Sequence, residues 1–506
     1  MMSQLRRNTL ANLVGGNWPS FLGVFLIPFY LKFLGIESYG LVGFFVILQS
    51  VTALLDMGIS TTLNREMARV SVQQGKAQEQ RDMLRTLETV YWSLSLCAGI
   101  VIFLMAPVIS RHWVNPQSIS VTTLQNTFRL IGLAIALQFP SSFYQGGLMG
   151  LQQQVLVNAI LVVMATLRGV GAVLVLWLIS PTIEAFFVWQ IVVNGVQACV
   201  NMFVLWRSLP ASDSRPRFRV RLLRDVWRFS AYVSGNAIVG VLLSQLDKVI
   251  LIKMLPLENF GYYTLAWSMA AALWAIIVPI NNALFPQFVQ LFEKNDEAPL
   301  AGLFHRASQV MTVALIPTAV VFVLFSKEIL LAWTGSQAVA EQTYVLASLL
   351  VIGVSLNGIS SVPANVAYAF GWPQLVMYVN LGQAIILLPA IVILVPSYGA
   401  VGAAVIWVVL NSTYLFVMLP MMFRRYLRTE GRNWYLKDVG IPLGGVVMCG
   451  VLLSYLDFIS PTTIGRLLHI GAIWLSALIV SIMLTPLIRV WLVDYIFHNN
   501  ESVIDL

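Results

Sequence analysis

Apolar residues in this chain gather into long blocks separated by short polar connections, instead of alternating with polar ones. About 20 apolar residues cross the hydrocarbon core of a bilayer as a helix. On that measure the pattern predicts spans near 10–33, 40–63, 87–108, 121–143, 155–179, 184–206, 229–254, 261–288, 305–326, 343–368, 375–395, 399–423, 439–456 and 467–490. The expected fold is an all-α polytopic membrane protein of about 14 helices, or about twelve if two segments lie at the interface. Arg6 and Arg7 precede the first block as they would in a secretory signal. That block contains Asn8, Asn12, Asn17 and Pro19 and runs on to about Phe33, so it reads as a retained span.

Composition agrees with lipid as the solvent. Hydrophobic residues fill 58% of the 506 positions and charged residues 10%, and the mean hydropathy is +0.81. A soluble chain carries about 25% charged residues. Little sequence is left for a catalytic domain outside the bilayer, so no enzyme is expected. The net charge of +8 does not point to nucleic acid, because the basic residues sit in the connections between apolar blocks. Cys97, Cys199 and Cys449 all lie within apolar blocks and read as small buried residues. His112, His305, His469 and His498 have no ligand spacing, so neither a metal nor a cofactor is predicted. No phosphate-binding loop is present, so coupling through ATP would need a separate protein.

Charge placement orients the spans. Arg65, Arg69, Lys76, Arg81 and Arg85 fall in one connection, seven arginines in 207–228 and five basic residues in 424–437. All of these share a side with Arg6 and Arg7. The opposite connections hold Lys32, Arg111, Lys253, Lys327 and Arg466. The excess predicts a multi-pass protein with both termini cytoplasmic.

An internal repeat organises the spans. Leu31-Lys32-Phe33-Leu34-Gly35-Ile36-Glu37-Ser38-Tyr39-Gly40 recurs at an offset of 221 as Ile252-Lys253-Met254-Leu255-Pro256-Leu257-Glu258-Asn259-Phe260-Gly261. The same offset aligns Gly150 with Gly371 and Gln153 with Gln374. Six spans separate the copies, which predicts two parallel six-helix lobes, 1–206 and 229–423. The basic segment 207–228 would link them, and 424–506 would add two helices and a tail.

Ionisable residues within spans mark candidate chemistry, since a charge at the bilayer centre costs about 2.5–3.5 kcal/mol on insertion scales. Five stand out: Asp56, Arg129, Arg168, Asp247 and Lys248. Arg168 lies mid-span and could face an anionic substrate or form a buried pair with Asp56. Asp247 could carry a coupling ion or simply pair with Lys248. Arg129 could line a pathway or snorkel. Polar stripes at helical spacing accompany them: Gln49, Thr52, Asp56 and Ser60; Gln190, Asn194, Gln197 and Asn201; Asn357, Ser361 and Asn365. Each fits either a hydrated lumen or interhelical hydrogen bonding. Prolines interrupt many spans, and Pro279-Ile280-Asn281-Asn282 is expected to distort the eighth.

Leu34-Gly35-Ile36-Glu37-Ser38-Tyr39-Gly40, Leu54-Leu55-Asp56-Met57-Gly58-Ile59 and Asn64-Arg65-Glu66 resemble the start of Wzx-type polysaccharide flippases of the MOP exporter superfamily. Gln245-Leu246-Asp247-Lys248 and Glu258-Asn259-Phe260-Gly261 resemble the start of the second lobe. The resemblance implies export of undecaprenyl-diphosphate-linked oligosaccharide repeat units, the kind from which O-antigen and lipopolysaccharide are built, across the bacterial inner membrane. A proton or sodium gradient would drive it, and glycan polymerase machinery could be a partner. Arg168, Arg129 and Lys248 would meet the diphosphate or acidic sugars, with Asp56 and Asp247 as ion-coupling candidates. Three other readings stay open at this stage. A drug/cation antiporter of the same superfamily would want a cavity dominated by carboxylates. A membrane-embedded glycan polymerase or ligase would want a larger outer loop than 327–342. A non-transporting scramblase or assembly scaffold would show no gradient dependence.

Overall fold

The structure, a computed structural model, describes residues 15–71, 73, 75–212, 214–222, 245–294, 297–455 and 462–491. Among these the regular structure is helical, and the one β-type contact is an isolated bridge between Asn115 and Pro256. Ten helices among the described residues are long and apolar enough to cross a membrane. The protein is an all-helical polytopic membrane protein. Without water in the hydrocarbon core each backbone group must be satisfied inside its own segment, which helices achieve.

The chain divides into two compact units, Met1–Gly261 and Tyr262–Leu506. The first contains a helical stretch over 15–25, then α1 (Ile27–Thr52), α2 (Ile59–Ser71), α3 (Ala77–His112), α4 (Val121–Gly150), α5 (Gln154–Leu178) and α6 (Ile183–Ser208). A helical stretch over 245–254 and the first turn of α7 (Leu257–Ala271) follow. The second unit holds the rest of α7, α8 (Trp274–Glu293), α9 (Glu297–Leu324), α10 (Ser326–Thr334), α11 (Gln337–Ala369), α12 (Pro373–Thr413), α13 (Ile441–Ser454) and α14 (Thr463–Leu484). The predicted span at 229–254 begins outside the described residues, as do both chain ends.

Turns fall where the apolar blocks part. Within α1 the backbone leaves helical geometry at Gly35, with φ 76°, between the predicted first and second spans. The segment Pro373–Arg425 has 53 residues and would run about 80 Å as one helix, more than twice the hydrocarbon thickness. It breaks at Gly399, with φ 57°, where the predicted eleventh and twelfth spans meet. Both positions demand a left-handed or mirror-β conformation that glycine adopts without steric cost. Ser120, Thr182, Ser336 and Thr462 cap α4, α6, α11 and α14 by accepting from the backbone N–H three residues on.

Two helices depart from expectation. α3 begins ten residues before its predicted apolar block, with Gln80 and Asp82 buried. Residues 210–212 and 214–219 cover that polar start and satisfy it. In the eighth span the helix runs through Pro279 and Pro286, and the disturbance lies earlier, at Ala272–Leu273. There Ala272, Leu273, Ala275 and Ile276 each donate to the carbonyl three residues back. The proline ring crowds the carbonyl four residues before it, and the preceding turn tightens in response.

α4 is the most enclosed helix of the first unit: Leu124, Phe128, Ile131, Ala134 and Phe143 are fully or almost fully buried. Its Gln125, Arg129, Gln138 and Gln145 make it more polar than a lipid-facing span. A helix surrounded by protein can carry such groups because its neighbours answer them. Lipid-facing positions elsewhere are apolar, as at Leu104, Trp177, Ile385 and Phe416.

The two copies of the repeated motif meet within the first unit. A Cβ built on Gly40 would lie 3.0 Å from the Leu257 carbonyl oxygen, and one on Gly261 would lie 2.3 Å from that of Ile36. Ile36 and Leu257 are themselves equivalent at the 221 offset, so each copy's glycine seats the other copy's backbone. The connection after α3 ties the arrangement together. The Glu37 carboxylate accepts from the N–H groups of Gln117 (2.5 Å) and Ser118 (2.9 Å) and from the Ser118 hydroxyl. Two residues earlier Asn115 donates to the Lys253 carbonyl at 2.8 Å and accepts from Leu257 N–H at 2.8 Å. Gly261→Ala is expected to lower stability by about 1–3 kcal/mol through this overpacking. An unchanged melting temperature in detergent would remove the contact's significance.

Candidate functional site

Asp56 ends a short 3-10 turn, Ala53–Asp56, beyond which Met57 and Gly58 adopt positive φ before α2 begins. Its carboxylate accepts from Ser60 N–H at 3.1 Å and from the Ser60 hydroxyl, which caps α2. The Tyr91 hydroxyl donates to the same oxygen at 2.8 Å and contacts Ser142 at 2.9 Å. Asp56 thus anchors a break in the second span to α3 and α4.

Arg168 does not reach Asp56. Its guanidinium donates to the Gln197 side-chain oxygen, and its Nε is buried without an acceptor. No carboxylate lies within 4.0 Å of Arg168 among the described residues. A cation at this depth is held by a neutral amide alone. Nearby, Tyr30 donates to the Gly169 carbonyl at 3.1 Å, joining α1 to α5.

Gln190, Asn194, Gln197 and Asn201 are all buried on α6. Asn194 donates to the Ala134 carbonyl at 3.0 Å, and the Gln138 oxygen accepts from Gln49. Part of this stripe therefore joins helices, while Gln197 turns to Arg168. The Asn201 amide is wholly buried with neither atom hydrogen-bonded. Arg129 places its guanidinium 5.5 Å from the Phe103 ring centroid, a cation–π contact at the lipid-facing side of α3. Asp247 and Lys248 are both buried and pair with each other at 3.3 Å.

In the second unit Asn357 donates to Asn411 at 2.9 Å. Its stripe-mates Ser361 and Asn365 both engage Asn281 of α8, at 2.8 Å in each case. That asparagine follows Pro279, so the polar half of the Pro-Ile-Asn-Asn run is satisfied by α11.

Two buried carboxylate clusters were not read from the sequence. Glu88 on α3 accepts from Tyr144 at 2.6 Å and Trp206 at 3.1 Å and pairs with Arg85 at 3.1 Å. In the second unit His305 lies between Asp438, with which it makes a close hydrogen bond, and Glu430 at 3.0 Å. Gln309 donates to the other Asp438 oxygen at 2.8 Å and accepts from Leu487 N–H at 2.9 Å. Asn433, followed by His305, holds the Glu430 carboxyl below its usual range. Glu430 and Asp438 lie at the start of one helical run and His305 on a distant helix, so no local spacing could have joined His305 to them. No group of three His, Cys, Asp or Glu side chains able to hold a metal ion occurs among the described residues.

The model of the family described as "Polysaccharide biosynthesis protein" matches residues 32–341, well over half of the chain. The chain belongs to that polysaccharide biosynthesis protein family. Within reach of this family member by sequence is the "Putative O-antigen transporter" of Shigella flexneri, 19% identical over 402 residues, covering 79% of this chain and 93% of that protein. Another is the "Probable low-salt glycan biosynthesis flippase Agl15" of Haloferax volcanii, 22% identical over 281 residues, covering 55% of this chain and 57% of that protein. Its fold is also found in the lipid II flippase MurJ in an inward closed conformation, with TM-score 0.68, 12% identity and coverage of 97% of this chain and 99% of that one. The MATE multidrug transporter DinF-BH shares it less closely, with TM-score 0.58, 16% identity and coverage of 83% and 95%.

The His305 cluster gives the family member a testable weak point. His305→Ala leaves the Asp438 carboxylate buried without its imidazole hydrogen bond, a loss of about 1–3 kcal/mol for an unsatisfied buried acceptor. Adding Asp438→Asn is expected to restore much of it. If thermal melting shows His305→Ala as stable as the parent, the pair holds nothing together.

Proposed function

We propose that this chain is a flippase that carries undecaprenyl-diphosphate-linked oligosaccharide repeat units across the bacterial inner membrane by alternating access, driven by a proton or sodium gradient. The observation that carries the reading is Arg168: a half-buried guanidinium in an apolar span, its Nε buried without an acceptor, held by Gln197 and facing no described carboxylate. An uncompensated cation at this depth is costly unless an anion visits it. A diphosphate supplies one, and a guanidinium matches its oxygens in geometry and charge. The relatives' names, an O-antigen transporter and a glycan flippase, support a lipid-linked glycan as cargo.

On this reading 1–206 and 229–423 act as the two lobes, linked by 207–228, with 424–506 outside the repeat and both termini cytoplasmic. Arg129 and Lys248 add positive charge along the route, and Gln190, Asn194, Gln197, Asn201 and Asn357 offer amides to sugar hydroxyls. Asp56 and Asp247 are the candidate ion carriers. Asp56 can change its hold on Ser60 and Tyr91 when protonated, and Asp247 its hold on Lys248. Glycan polymerase machinery would receive the product on the far side. A drug/cation antiporter would place a carboxylate where Arg168 stands.

Arg168→Ala is expected to reduce transport of a labelled lipid-linked glycan in proteoliposomes by about ten- to a hundredfold, the worth of a charge-assisted hydrogen bond or two. Arg168→Lys should keep a measurable part. An imposed ion gradient should accelerate flux. Wild-type flux in Arg168→Ala would remove the residue from the pathway, and no flux for any lipid-linked glycan would end the flippase reading.

A further inference from the structure

After α6 the chain does not leave the protein at once. Residues 210–212 and 214–219 run back along the start of α3, where Arg217 N–H donates to Asp82 at 2.8 Å and Arg219 N–H to Thr86 at 2.9 Å. The Arg219 guanidinium also pairs with Asp82 at 2.6 Å. Asp82 and Thr86 are one helical turn apart and fully buried, so the extended segment is pinned by groups that have no access to water.

What the pinned segment presents outward is unusual for a soluble loop. Arg215-Pro216-Arg217-Phe218-Arg219-Val220-Arg221 alternates basic and other residues. Phe218 is 48% and Val220 68% exposed. Arg215, Arg217 and Arg221 are exposed too, and none has a carboxylate within 4.0 Å among the described residues. The neighbouring end of α6 bears the marks of a membrane exit. Arg207 stands 5.9 Å from the ring of Phe203, itself 60% exposed, and Arg81 stands 5.9 Å from Trp206 while donating to the Pro210 carbonyl. Aromatic rings flanked by arginine collect where a span passes from hydrocarbon to headgroups.

We propose that segment 215–221 is a binding site for anionic phospholipid of the adjacent leaflet, with Phe218 and Val220 entering the interface and Arg215, Arg217 and Arg221 on headgroup phosphates. Asp82 and Thr86 preorganise the segment, so ordering it costs little when lipid binds. Each arginine near an anionic surface contributes about fivefold in affinity. This site is independent of the transport pathway.

The test uses the full chain in detergent, with native mass spectrometry of bound phosphatidylglycerol and of phosphatidylcholine with the same acyl chains. The unaltered protein should retain phosphatidylglycerol preferentially, and salt should weaken that preference. Combined Arg215→Gln, Arg217→Gln and Arg221→Gln should reduce the preference by about a hundredfold without changing the melting temperature. Phe218→Ser with Val220→Ser should weaken both lipids alike. The proposal is overturned if the triple variant keeps the preference, if the two headgroups bind equally from the start, or if the arginines retain only undecaprenyl diphosphate and not phosphatidylglycerol.

Discussion

A polar group inside hydrocarbon has no water to fall back on, and that constraint shapes nearly every polar position in this protein. Asn194 reaches the Ala134 carbonyl, Asn281 is held by both Ser361 and Asn365, and Asp56 takes the Ser60 N–H and hydroxyl at the start of α2. Even the charged pairs, Asp247 with Lys248 and His305 with Asp438, are answered locally. Asn201 and Arg168 depart from this: the Asn201 amide makes no hydrogen bond, and Arg168 has a neutral partner and one nitrogen with none. Folding alone gives no reason to place a guanidinium there, which is why transport chemistry is the more economical account of it.

The architecture was legible where one dimension suffices. Apolar block length placed the helices to within a few residues for α5 and α6, and the breaks fell at Gly35, between two predicted blocks, and at Gly399, the first residue of another. Periodicity also found the α6 stripe, all four members of which are buried. It could not assign their partners, because the spacing along one helix names a face and not the neighbour that meets it. Asn194 and Gln197 are three residues apart on the same face, yet one joins α4 and the other holds Arg168.

Whatever depended on distant segments stayed hidden. The Glu88 site draws on residues 85, 88, 144 and 206, and the His305 site on residues from three parts of the chain. The early start of α3 belongs to the same class. Its polar first turns look like a connection until Arg217 and Arg219 supply the hydrogen bonds that let Asp82 and Thr86 be buried. Proline misled in the opposite direction, since the disturbance in the eighth span lies nearly two turns upstream of Pro279, at Ala272–Leu273.

The crossing of Gly40 and Gly261 couples two stretches of chain that sequence keeps 221 residues apart. Bulk added at either glycine would press on the main chain of the opposite copy, where no rotamer can give way. Compensation would then have to come from the partner motif. At this one point the two halves of the repeat cannot vary as separate texts; each is proofread by the other.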